Sequence, residues 1–76
     1  MTQVVSILGS TGSIGRQTLD VIDHLPIRVA ALTANRDVAR MEEQCRKYRP
    51  KLAVMADEQA AMDLKTRLAD TEIQVE

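Results

Sequence analysis

Aromatic side chains are nearly missing from this sequence, which has one tyrosine, Tyr48, and neither tryptophan nor phenylalanine. A single ring can build neither a base-stacking platform nor an aromatic sugar-binding surface. Cysteine is as scarce: Cys45 stands alone, so no intrachain disulfide forms, a Cys-rich metal site is excluded, and a reducing compartment fits. Neither sign of charge dominates, since ten Lys and Arg against eleven Asp and Glu leave a net charge of -1. The basic excess of an electrostatic nucleic-acid binder is therefore absent. No apolar run approaches the roughly 18 residues of a membrane span, and no charged segment followed by a long apolar stretch opens the chain. The expectation is a cytoplasmic protein with neither nucleic acid nor membrane as partner. At 76 residues the chain has room for one small core.

What is present alternates. Residues 3 to 8, QVVSIL, are aliphatic and β-branched, carry no charge and stop at Gly9, the pattern of a buried strand in a parallel sheet. From Ser13, the residues Ile14, Thr18, Val21, Ile22 and Leu25 recur at helical spacing, with Arg16, Gln17, Asp20 and Asp23 on the other face, until Pro26 stops the helix. A second strand is predicted over 27–34, IRVAALTA, and a second helix from an Asp37 cap to Pro50, with Val38, Met41, Cys45 and Tyr48 as its inner stripe. A third strand over 51–56, a third helix capped by Asp57 with Ala61, Leu64 and Leu68 inward, and the start of a fourth strand at 72–76 follow. The order βαβαβαβ with short connections implies right-handed crossovers and a Rossmann-like three-layer α/β fold on a parallel sheet. Because it stops inside a predicted strand, the chain reads as the amino-terminal portion of something longer.

Gly9, Gly12 and Gly15 fall where the first strand gives way to the first helix. A turn of this kind gathers unpaired amides and the positive end of a helix dipole, and the expected guest is a phosphate. Gly9 would permit a sharp exit from the strand, Gly12 would let the backbone approach a pyrophosphate, and Gly15 would let the helix lie close to the sheet. Ser10, Thr11 and Ser13 add hydroxyls. The alternative is that the glycines only shape a tight turn. A mononucleotide P-loop fits less well, because Arg16 stands where its lysine should follow the last glycine.

About twenty residues on, where an NAD enzyme presents an acidic side chain to the adenosine ribose, the chain offers Thr33, Ala34, Asn35, Arg36 and Asp37. A planar guanidinium at Arg36 and an amide at Asn35 can hold a 2′-phosphate, favouring NADP over NAD. Asp37 would repel that phosphate unless it turns away to cap the helix. The competing reading of Arg36 and Asp37 is a solvated turn.

Other residues read as structure. His24 sits near the negative end of the first helix. Cys45, Met41, Met55 and Met62 read as core, the charged residues of CRKYR as a solvated helix face, and Asp57 with Glu58 as a helix start. No metal site is visible.

The segments ILGSTGSIGRQTLDVI and ALTANRDVARMEEQCRKYRPKLAVM, spanning most of the chain, together resemble the amino terminus of the 1-deoxy-D-xylulose 5-phosphate reductoisomerases. The extension GSTGSIGxxTLDVI and the later MxEQC and PxxAVM carry the resemblance beyond a generic Rossmann turn. It implies an NADPH-dependent enzyme that, with a divalent metal, magnesium or manganese, converts the deoxyxylulose phosphate to methylerythritol phosphate in isoprenoid synthesis. It further implies a homodimer and a sugar-phosphate substrate. Matched position by position, Thr11, Gly12, Ser13 and Ile14 fall on the family's pyrophosphate turn, and Asn35, Arg36 and Asp37 on its 2′-phosphate group. Asn35 and Asp37 stand where the family often has glycine and asparagine. The family's metal ligands and catalytic residues fall beyond position 76. Two other readings remain open at this point: a different NADP-dependent oxidoreductase with a GxTGxxG turn, and a nucleotide-binding module without chemistry.

Overall fold

The computed structural model describes residues 3–76. Strands and helices alternate as β1 (Gln3–Ile7), α1 (Ser13–Ile22), β2 (Ile27–Ala34), α2 (Val38–Tyr48), β3 (Leu52–Met55), α3 (Glu58–Arg67) and β4 (Gln74–Val75). All three strand pairings are parallel, and the strands lie in sequence order, β1-β2-β3-β4. Each crossover therefore steps in the same direction, and right-handed crossovers of that kind set every helix on one face of the sheet. The register agrees. Val5 lies beside Val29, Ile7 beside Leu32, Leu32 beside Ala53, and Ala53 beside Val75, and these side chains share one core with Leu19, Met41, Cys45, Leu64 and Leu68. The described residues thus supply a Rossmann-like sheet and one of its helical layers. Burying a leucine side chain as fully as Leu19, Leu32 and Leu64 contributes about 1.5–3 kcal/mol each.

The predicted caps are in place. The Asp37 carboxylate accepts from the Arg40 amide at 3.2 Å and that of Asp57 accepts from the Ala60 amide at 2.9 Å, each meeting an orphan donor of a first helical turn. Helix α2 ends on Arg49, which is left-handed at φ 51° and donates its amide to the Cys45 carbonyl before the buried Pro50. Arg46 is more than a solvated side chain. Its guanidinium forks onto the Asp70 carboxylate, both contacts at 3.0 Å, and reaches Glu42 and the Arg67 carbonyl, tying α2 to the end of α3. That hydrogen-bonded guanidinium holds the Asp70 carboxyl below its usual range.

Four expectations need correction. The first strand is not buried throughout: it ends at Ile7, and Val4 and Leu8 are exposed because the helices all lie on the other face of the sheet. The inner stripe of α1 is Gly15, Leu19 and Ile22, whereas Ile14, Val21 and Leu25 are exposed. The helix is rotated about its axis because Gly15 has to face the turn, as described below, and residues 15, 19 and 22 then share the inward face. Met62 points to solvent from α3 and fills no core, with Ala60 and Leu64 taking the inner positions. Ser10, expected to offer a hydroxyl, is fully buried, and that hydroxyl donates inward to the Met41 sulfur at 3.5 Å.

Cys45 lies in the core as expected, and burial pushes its thiol from 9.0 up to about 11. The raised value means that the folded chain holds a proton the unfolded chain releases. The contribution is complete below about pH 9 and is lost as pH rises through about 11. Stability measured by urea unfolding is expected to fall across that interval, and a Cys45→Ala variant should lack this part of the decline. An identical alkaline profile for the variant would contradict it.

Candidate functional site

The three glycines do three different jobs. Gly9 takes φ +70°, a left-handed conformation that turns the chain sharply out of β1. At Gly15 a Cβ would fall 2.3 Å from the Gly9 carbonyl oxygen and 2.7 Å from the Ser10 Cα, so helix and turn approach within a distance that only glycine allows. Gly12 has neither constraint. Its φ of −76° and ψ of 170° are ordinary extended backbone, and a Cβ there would meet only the Gly9 carbonyl oxygen, at 3.5 Å. Nothing inside the fold requires glycine at this exposed position.

Gly12 is the N-cap of α1, and no side chain caps that helix. By helical geometry the first amides, those of Ser13, Ile14 and Gly15, have no acceptor within the helix. No acidic residue occupies the first turn of α1, so the positive end of its dipole is uncompensated. Among the described helices α2 and α3 are capped by aspartate; α1 is left open. Ser13 and Ile14 are exposed and Thr11 is half-buried, so all four residues expected at a pyrophosphate gather at this end. A groove of about 630 Å³ opens here, bounded by Leu8, Gly9, Gly12, Ile14 and Thr18.

The second group, Asn35, Arg36 and Asp37, follows directly on the carboxyl end of β2, and all three are exposed. The carboxylate of Asp37 is turned away: it caps α2 and lies 3.6 Å from the Arg40 guanidinium. Among the described residues no ion pair involves Arg36. The Asn35 carbonyl accepts from the Asp57 amide and the Arg36 carbonyl from the Val38 amide, so the backbone of the tip is fixed while the two side chains stay free to meet a ligand.

Thr33 joins the two groups. Its hydroxyl oxygen accepts from the Gly9 amide at 3.0 Å and its carbonyl from the Ser10 amide at 2.8 Å, stitching the glycine turn to the end of β2. A second clamp comes from Gln44 on α2, whose side-chain amide donates to the Ser10 carbonyl at 2.8 Å. Sequence reasoning named Thr33 only as part of the strand tip and passed over Gln44. Gln44 gave one signal, a polar residue one helical turn beyond Met41 on the inner stripe of α2. Among the described residues no group of three His, Cys, Asp or Glu side chains is arranged to hold a metal ion.

A parallel α/β sheet whose first strand ends in a glycine turn and an uncapped helix defines a Rossmann-like protein of the dinucleotide-turn class. Comparison narrows the class. The chain belongs to the 1-deoxy-D-xylulose 5-phosphate reductoisomerase family, whose family model matches residues 5–76. It is 48% identical over 75 residues to the enzyme of that name from Acetivibrio thermocellus, covering 99% of this chain and 20% of that protein. With the Tolumonas auensis protein of the same name the identity is 51% over 76 residues, covering 97% of this chain and 19% of that protein. The reductoisomerase of Zymomonas mobilis solved in complex with NADPH superposes with a TM-score of 0.92 at 39% identity, over 97% of this chain and 20% of that one. A DOX-P reductoisomerase solved with NADPH, fosmidomycin and magnesium gives a TM-score of 0.88 at 28% identity, over 95% of this chain and 18% of that one. The chain therefore spans about a fifth of the length of the relatives it matches. Neither a different NADP-dependent oxidoreductase nor a module without chemistry is favoured beside these matches.

Proposed function

We propose that residues 1–76 are the amino-terminal portion of the NADPH-binding domain of a 1-deoxy-D-xylulose 5-phosphate reductoisomerase. Thr11, Gly12, Ser13 and Ile14 receive the pyrophosphate, while Asn35, Arg36 and Asp37 form the 2′-phosphate end. Gly12 carries this reading, as a glycine that no backbone angle and no neighbour in the fold demands, set at the open end of a helix. A missing Cβ at that place leaves room for a pyrophosphate to reach the amides of the first turn. The cofactor, when bound, supplies a hydride for the reduction. This chain's own residues bind and orient it: the amides of the turn neutralise the pyrophosphate, Arg36 pairs with the 2′-phosphate, and Asp37 is held off by its cap and by Arg40.

The reading brings with it the family's reaction, conversion of 1-deoxy-D-xylulose 5-phosphate to 2-C-methyl-D-erythritol 4-phosphate with NADPH and a divalent metal. The enzyme acts as a cytoplasmic homodimer on its sugar-phosphate substrate. No metal ligand is assigned among these residues. Calorimetric titration of the full chain with NADPH and NADH tests the cofactor end. An Arg36→Ala variant is expected to lose about 1.5–3 kcal/mol of NADPH binding, the range of a charged hydrogen bond, with NADH affinity unchanged. Equal losses for both cofactors would remove Arg36 from the 2′-phosphate.

A further inference from the structure

We infer that Gln44 is a positioning residue that sets the glycine turn before its ligand arrives; the inference rests on the NADPH reading above. Gln44 is 7% exposed, and a glutamine buried that deeply ordinarily has both halves of its amide satisfied. Only one half is. The amide nitrogen donates to the Ser10 carbonyl at 2.8 Å, while Oε1 is buried without a partner among the described residues. If the site needed only bulk, methionine would fill it without stranding an acceptor. Glutamine at this position is therefore explained by its donor, and the donor is aimed at the middle of the turn.

Ser10 is the fixed point of that turn. Its amide donates to the Thr33 carbonyl at 2.8 Å, its hydroxyl to the Met41 sulfur at 3.5 Å, and its carbonyl accepts from Gln44. Its Cα lies directly against Gly15 of α1. All its polar atoms are thus engaged inward, and Thr11 and Gly12 project from a backbone that cannot swing. The helix carrying Gln44 begins immediately after Arg36 and Asp37, so one rigid element underlies both ends of the site. Gln44 touches no part of the ligand; it acts through Ser10.

The test is a Gln44→Met variant of the full chain, followed by calorimetric titration with NADPH and NADH, thermal unfolding and amide hydrogen exchange. Both affinities are expected to fall by the same factor, roughly fivefold to tenfold for the loss of one hydrogen bond, because the turn serves either cofactor. The Ser10 and Gly12 amides should exchange faster while α3 is unaffected. The melting temperature should change little, since the stranded Oε1 goes while the buried Ser10 carbonyl loses its donor in exchange. A merely structural role would lower the melting temperature and leave the affinities alone. Unchanged affinities and unchanged exchange in the turn overturn the inference. If the methionine variant does not fold, Gln44→Asn, whose amide is one methylene too short to reach Ser10, gives the same readouts and the same criterion. A Gly12→Val control separates the two levels: wild-type NADPH affinity in that variant defeats the cofactor reading, and exchange of the turn amides still decides whether Gln44 holds Ser10.

Discussion

A Gly15→Ala variant is expected to unfold at a much lower urea concentration than the parent, by an equivalent of about 3 kcal/mol or more. The added methyl would sit 2.3 Å from the Gly9 carbonyl oxygen and 2.7 Å from the Ser10 Cα. Both are backbone atoms, so no side chain can rotate away, and relief requires α1 to lift off the turn or the turn to leave β2. Overpacking against movable side chains already costs about 1–3 kcal/mol. Alanine's higher helix propensity returns roughly 1 kcal/mol at most, too little to reverse the sign. A chain of this length has on the order of 4–11 kcal/mol of stability at 0.05–0.15 kcal/mol per residue, so the variant should be near its limit. Urea titration should show a lower midpoint with an unchanged slope. A midpoint equal to the parent's would mean that α1 is not seated on the turn as described.

Gly12→Val is expected to give the opposite result, a folded chain that no longer binds NADPH. Valine accepts the extended backbone of Gly12, and its Cβ meets only the Gly9 carbonyl oxygen, at 3.5 Å. Exchanging glycine for a poor cap costs about 1 kcal/mol of stability. The isopropyl group would nevertheless occupy the space in front of the α1 amides, where the pyrophosphate is proposed to lie. Affinity should fall at least a hundredfold, about 2.8 kcal/mol, equally for NADPH and NADH. The pairing of the two variants is the informative comparison. Two glycines three residues apart should fail in different ways, one in the unfolding curve and the other in the binding isotherm, and retention of tight binding by the valine variant would refute the pyrophosphate assignment.

Much of this architecture was legible from residue types alone because the signals were local. Asp37 and Asp57 announce helix starts, Pro26 and Pro50 lie just past helix ends, and short aliphatic runs mark the strands. The jobs of Gly9 and Gly15 could also be read, since a turn out of a strand into a closely packed helix has few solutions. The face that α1 buries could not. Its sequence carries two apolar stripes, and the choice of Gly15, Leu19 and Ile22 over Ile14, Val21 and Leu25 is made by the contact of Gly15 with Ser10. That contact belongs to the tertiary structure. The register shift between Val5 and Ser6, which pairs Ser6 with Ala31, likewise has no local mark. Ser10 misled because its hydroxyl looked available, and the residue that takes it, Met41, is 31 positions away. Gln44, and the bond by which Thr33 holds the turn, escaped notice for the same reason, since their partners lie 34 and 24 residues distant. The residues proposed to face a ligand stand out in the sequence, and those that stand behind them do not.

Thr33 gives the arrangement a property beyond holding the turn in place. Because its side chain and its main chain both bind the Gly9–Ser10 backbone, and the basic tip begins two residues later, the distance from the uncapped helix to Arg36 is set by a short run of strand. The two ends act as a caliper. On the proposed assignment a ligand with one phosphate group would satisfy one jaw, and only a molecule whose two phosphate centres match the opening would satisfy both. Selection on that proposal would be by length as well as charge, exercised by a gauge that the hydrogen bonds of one threonine keep from drifting.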